Sequence, residues 1–152
     1  PAIRPNLESI YKKDFYIPPI IEKNDEAKKL YLKNMKLSYD FFESQKEKIG
    51  FSEAIYALPN AHNIEIIERN DFSSFHHKAQ MRLCYNAQEE IYDVVYSQVS
   101  QLQNLKIKGS EYFLPPCTVR ANLGIRPICP EGDHYCGIKV WKLDFKDYNR
   151  DI

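Results

Sequence analysis

The stretch Arg82-Leu83-Cys84-Tyr85-Asn86-Ala87-Gln88-Glu89-Glu90-Ile91 constrains the fold more than any other, because it opens the clearest helical periodicity in the chain. Asn86 is a good N-cap, with Glu89 three residues on in a variant of the capping box. Ala87, Ile91, Val94, Val95, Gln98, Val99 and Leu102 follow at helical spacing, one apolar stripe with a single polar interruption at Gln98. The spacing predicts a core helix from about Asn86 to Gln103. Arg82 falls just before the cap, where a guanidinium can reach out of the packing towards an anion, a carbonyl or a surface acid.

The same signals place other elements. Asn24 caps a long helix to about Lys48, with Asp25 and Glu26 in the first turn and Gly50 beyond its end. Leu30, Leu37 and Phe41 mark one side of it, and Tyr31, Met35 and Phe42 the neighbouring side. Ser52 to Leu58 reads as a short helix capped by Ser52 and stopped by Pro59. His62 to Arg69 is β-rich and partly alternating, so it is the one confident strand, and it must pair either within this chain or with another. Asp71 to about Arg82 is a helix with Phe72, Phe75 and Ala79 inward.

Residues 1–23 read as an extended, proline-containing arm, since the Pro18-Pro19 pair resists helix and leaves the aromatics Phe15 and Tyr16 seeking a groove. Residues 105–152 form a Cys- and Pro-containing tail of loops and short strands, with Val140 to Leu143 the best strand candidate. The expected organisation is one domain over 1–152, with 24–104 as a helical core holding one strand. The fold class is α+β and predominantly helical, three to four helices with a small sheet.

Charge narrows the partners. The chain has 21 basic and 21 acidic residues and no Lys/Arg block interleaved with aromatics, which argues against a nucleic-acid groove. No apolar run is long enough to cross a bilayer and the N-terminus has no apolar signal core, so a cytoplasmic protein is expected. Four cysteines are too few and too spread for a disulfide scaffold and read as reduced thiols. Cys117, Cys129, Cys136 and His134 have the right atoms for zinc. No Cys-x-x-Cys pair presents two ligands on one knuckle, so buried or loop thiols are the plainer reading, no metal ligand is assigned, and zinc is left open. His76 and His77 are adjacent and point about 100° apart on a helix, which prevents joint chelation from one face.

Taken together, A-x-x-x-L-P (Ala54 to Pro59), a strand, a helix ending in M-R-L-C (Met81 to Cys84) and N-A-Q-E-E-I (Asn86 to Ile91) resemble the C-terminal half of flavin-dependent thymidylate synthases of the ThyX type. Phe15-Tyr16-Ile17-Pro18 is similar to the segment downstream of that family's flavin motif. Cys117 with C-P-E-G (Cys129 to Gly132) and Cys136-Gly137 is similar to a tail found in some members. The resemblance implies the corresponding half of the ThyX fold and a homo-oligomer with sites shared between subunits. It also implies the family reaction, in which methylenetetrahydrofolate supplies a methylene carbon to dUMP and a hydride carried on FAD from NADPH reduces it to give dTMP.

Carried over by position, Arg82 matches the arginine that contacts dUMP. Asp71 stands where the family has the asparagine opening the flavin-contacting helix, and His77 at a second flavin-contacting position. Ile55 and Ser73 stand at two further arginine positions, which removes cations that would hold a phosphate. The family's R-H-R motif would lie upstream of residue 1, and none of the six arginines here precedes His-Arg. The expectation is half of a binding shell with no catalytic residue of its own, inactive as this chain alone. The alternative is a non-catalytic packing or oligomerisation module of such a protein.

Overall fold

The computed structural model describes residues 2–148 and 150. It is α+β and predominantly helical, with a two-stranded sheet, as the sequence leads one to expect. The chain divides into two compact units, Ala2–Arg69 and Asn70–Ile152.

In the first unit, strand β1 (Ala2–Pro5) pairs antiparallel with β2 (Ile66–Arg69), with Ala2 opposite Arg69 and Pro5 opposite Ile66. The anticipated strand over 62–69 is thus shorter, and its partner comes from residues expected to form an extended arm. His62 instead makes an isolated antiparallel bridge with Phe15. Ile66 and Ile67 are both exposed, so alternation along β2 does not mark a buried face. The arm itself is not uniformly extended. Asn6 caps a 3-10 helix over Leu7–Lys12 by accepting from the Glu8 N–H at 3.1 Å, and Pro19 opens the one-turn helix α1 (Pro19–Glu22). Proline fits there because the first helical position needs no N–H donor.

The long helix α2 (Asp25–Ile49) is capped as its sequence dictates. Asn24 Oδ1 accepts from the N–H groups of Glu26 and Ala27, and Gly50 ends the helix at φ +91°. Met35, Tyr39 and Phe42 are buried, whereas Leu30, Leu37 and Phe41 are exposed. Tyr39 is the residue the apolar pattern omitted. Its hydroxyl lies 3.1 Å from the Asp14 carbonyl and 2.7 Å from His62 Nδ1, and Tyr31 donates to the Tyr16 carbonyl at 2.7 Å. Two tyrosines on one helix thereby fix the 14–16 segment, and Phe15 rests between their rings. Helix α3 (Phe51–Ala54) continues into a 3-10 turn over Ile55–Ala57. Ser52 does not cap it, because Gly50 serves both as the end of α2 and as the N-cap of α3.

The second unit is built on α4 (Phe72–Arg82) and α5 (Glu89–Asn104). Its core comprises Ala79, Leu83, Tyr85, Tyr92, Val95, Val99, Phe113, Val140 and Tyr148. Phe113 is enclosed by Phe72 and Phe75, with ring centroids at 4.7 and 5.1 Å. Helix α5 begins three residues later than the periodicity suggests. Asn86 is not its cap, since its Nδ2 donates to the His134 carbonyl, and Gln88 is the N-cap without a side-chain bond. Val94 is exposed while Tyr92 is buried, so the inward face is rotated towards the tyrosine. Gln98 Oε1 is buried with no partner among the described residues.

The tail contains no strand among its described residues. Pro115 and Pro116 start helix α6 (Pro116–Asn122) where they were expected only to break structure. Val140–Lys142 forms a 3-10 turn, with Val140 buried against the core. Its β-prone composition has no neighbouring strand to pair with.

Candidate functional site

Helix α4 carries the three residues that the sequence singles out. Asp71 is its N-cap, accepting from the Ser74 N–H at 2.7 Å and from the Ser74 hydroxyl at 3.0 Å. Those two bonds hold the Asp71 carboxyl below its ordinary range. Phe75 and Ala79 turn inward, whereas Phe72, expected to do so too, stays half-exposed at the first turn with only one side of its ring on Phe113, and His76 lies tilted near Phe113 with centroids at 5.9 Å. His77 and Arg82 are exposed. Arg82 is the last residue of the helix, and Leu83 and Tyr85 bury themselves directly after it. Among the described residues Arg82 makes no ion pair.

Helix geometry decides how these groups can act together. Arg82 lies eleven positions after Asp71, so their Cα atoms lie about 16 Å apart along nearly the same line, and His77 is turned roughly 120° or more from both. No single small ligand spans all three from this helix. The α4 N-terminus would otherwise offer free N–H groups and a positive dipole end to an anion. Asp71 fills that position with its own negative charge. Tested against these residues, a flavin with its diphosphate does not fit α4 as it stands.

Ser73 is exposed beside this cap. In the other unit Ile55 packs on the Ile10, Phe42 and Ala54 cluster, so the side chain at that family arginine position serves a core.

The turn after Arg82 is held by side chains that sequence reasoning did not connect. The Ala87 N–H donates to the Cys84 carbonyl at 2.8 Å. Arg150 donates to the Ala87 carbonyl at 2.7 Å, with its guanidinium 5.0 Å from the centre of the Tyr92 ring. Cys84, Cys117, Cys129 and Cys136, all the cysteines of the chain, line one small cavity beside this turn. His134 is not among its lining residues. A signal for Cys84 was present in the sequence only as the fourth cysteine of a four-cysteine chain. Among the described residues no group of three or more His, Cys, Asp or Glu side chains already stands ready to hold a metal ion.

A second, wider concavity of about 570 Å³ opens between the end of α5, α6 and the 141–148 segment, with Lys106, Lys108, Glu111, Asp144 and Trp141 on its walls. It is mixed in charge and shares none of the α4 residues. Among the described residues no helix is long and apolar enough to cross a membrane.

Comparison with known proteins bears directly on α4. Residues 7–105 match the family model Thy1, thymidylate synthase complementing protein. The chain is 29% identical over 124 residues to the flavin-dependent thymidylate synthase of Thermococcus onnurineus, covering 78% of this chain and 48% of that protein. It is 26% identical over 140 residues to the flavin-dependent thymidylate synthase of Clostridium tetani, covering 81% and 53%. The corresponding protein of Sulfurisphaera tokodaii is 26% identical over 106 residues, covering 69% and 40%. The chain thus spans about half the length of the curated relatives it matches, and no solved structure matches it. With a match that runs through both the strand β2 and the Arg82 helix, the chain belongs to the thymidylate synthase complementing protein family.

Proposed function

We propose that this chain corresponds to the C-terminal part of a flavin-dependent thymidylate synthase-like protein, contributing Arg82 to a nucleotide site while not catalysing the reaction alone. The observation that carries this reading is Arg82 itself. It lies inside the family match, at the exposed end of α4, with no ion pair among the described residues. The reaction of the complete protein is the transfer of a methylene carbon from methylenetetrahydrofolate to dUMP, with FAD and NADPH supplying the hydride. The cytoplasm is the compartment proposed for it. Asp71 and His77 are proposed as remnants of the flavin-contacting helix, with Asp71 opposing an anionic group rather than attracting one.

Calorimetry with dUMP tests this. A lone exposed ion pair contributes about 0 to 1 kcal/mol, so binding is expected in the millimolar range at most, and the purified chain is expected to be colourless. Low-micromolar dUMP affinity abolished by Arg82→Ala, or FAD retained near one per chain, would overturn the half-site reading.

A second reading, a packing or oligomerisation module, is favoured by a separate observation. Leu30, Leu37 and Phe41 expose 60%, 55% and 56% of their surface along one side of α2, and Ile66 and Ile67 are exposed on β2. A homo-oligomer is expected on this reading. A stable monomer in sedimentation at tens of micromolar, unchanged by Ile66→Lys, would exclude it.

A further inference from the structure

Every cysteine of the chain reaches the same place from a different part of the sequence. Cys84 sits in the turn after α4, Cys117 in the first turn of α6, Cys129 in the loop beyond α6, and Cys136 just past the 3-10 turn Gly132–His134. All four are half-buried and unpaired as disulfides. All four line a single small cavity whose other walls include Tyr85, Pro116, Pro130 and Val140. Three of them lie outside the family match, and Cys84 lies inside it. We propose that Cys84, Cys117, Cys129 and Cys136 together bind one thiophilic metal ion, with Zn2+ as the natural occupant.

Four sulfur donors and an apolar wall suit a closed tetrahedral site for a d10 ion, with Zn–S bonds of about 2.3 Å. The thiols do not yet stand in a coordination shell, so closure requires their side chains to rotate and the 129–136 loop to draw in. The 129–136 segment carries one 3-10 turn and no longer regular element that such a shift would break. Binding is balanced as four thiols plus Zn2+ giving a tetrathiolate complex of charge 2− and four released protons. The Asn86 N–H lies against Cys84, and the Thr118 hydroxyl and N–H lie against Cys117, donors placed to stabilise sulfur once it carries charge. Glu131 also lines the cavity and opposes that charge.

The set differs from the one that spacing suggests. Cys84 stands in the set in place of His134, because Cys84 lines the cavity and His134 does not. A bound ion would tie the end of α4, two residues from Arg82, to the start of α6 and to the tail. Two disulfides would also engage all four sulfurs, but each would need a two-electron external oxidant, whereas metal binding needs none.

The whole chain, carrying no polyhistidine tag and produced in zinc-replete medium, is analysed for metal by plasma mass spectrometry after gel filtration. About one zinc per chain is expected, and Co2+ replacement should give sulfur-to-cobalt charge-transfer and tetrahedral d–d bands. Cys84→Ser and Cys129→Ser should each reduce zinc content roughly tenfold or more, and His134→Ala should leave it unchanged. The wild-type stoichiometry and cobalt spectrum stand even if a cysteine variant does not fold. Less than about a tenth of a zinc per chain, with four thiols reacting promptly with Ellman's reagent, would overturn the proposal. So would an intact mass lacking the thiol hydrogens, which signals disulfides, or zinc that survives Cys84→Ser and is lost in His134→Ala.

Discussion

Replacing Tyr92 with phenylalanine isolates one buried hydrogen bond in the second unit. Tyr92 is 2% exposed, and its hydroxyl donates to the Tyr148 carbonyl at 2.8 Å. No other donor reaches that carbonyl among the described residues. The substitution keeps the ring, and so keeps its packing on Tyr85 and Tyr96. What it removes is the donor, leaving a buried acceptor unsatisfied at a cost of about 1–3 kcal/mol. Tyr85 supplies an internal comparison, because its buried hydroxyl meets no full hydrogen-bond geometry among the described residues and interacts only with the nearby Tyr92 hydroxyl, whose own bond goes to the Tyr148 carbonyl. Tyr85→Phe removes a hydroxyl without a well-formed bond and should cost less than about 1 kcal/mol. The single tryptophan, Trp141, lies in the same unit and reports its unfolding by fluorescence. With a urea slope of about 1–3 kcal/mol per molar, a 2 kcal/mol loss moves the midpoint down by roughly 1 M for Tyr92→Phe and by less than half as much for Tyr85→Phe. Equal midpoints for the two variants at unchanged slope would refute the reasoning, since it rests on the difference between a hydroxyl with a well-formed bond and one without.

Phe113→Ala should destabilise the same unit by about 3–5 kcal/mol in that assay, because a 1% exposed ring enclosed by Phe72 and Phe75 leaves a cavity. Asp71→Asn should remove an acid-sensitive part of stability: the carboxyl is held low by Ser74, so its contribution is present above the unfolded aspartate value and lost as pH falls through the folded one. Urea midpoints of wild type and variant should converge in acid, and parallel curves would contradict this. His62 is lowered by burial, which Asp14 opposes, so the unfolded chain takes up the proton first and stability declines as pH falls below the ordinary imidazole value of 6.5. An NMR titration should place His62 below that value, and His62→Gln should flatten the decline.

How much of this molecule could be read from its sequence depended on whether an element is decided locally. Asn24, Gly50 and Asp71 act on N–H and C=O groups within a few residues, and the helices they bound stand where the spacing puts them. Asn86 had the same local credentials for α5, yet its amide is taken by a carbonyl 48 residues away. Val140 to Leu143 has strand-forming side chains, but strands require partners, and this segment packs Val140 into a helical core instead. Tyrosines were undervalued throughout. Tyr39, Tyr92 and Tyr148 are buried because each hydroxyl finds a bond that no apolar pattern records. The place of Arg82 at the end of α4 was legible from spacing, whereas the association of Cys84 with Cys117, Cys129 and Cys136 exists only in three dimensions.

Gly109 and Phe72 illustrate how such a surface restricts the molecule's history. Gly109 has φ +94°, and a Cβ there would lie 2.6 Å from Phe72 Cζ, the outer end of a half-exposed ring tilted against Phe113. Substitution at 109 therefore requires the Phe72 ring to swing away and a residue type that tolerates positive φ. A smaller residue at 72 would lower the first of those costs, so the order in which the two positions change affects which substitutions a lineage accepts, although 36 intervening residues separate them on the chain.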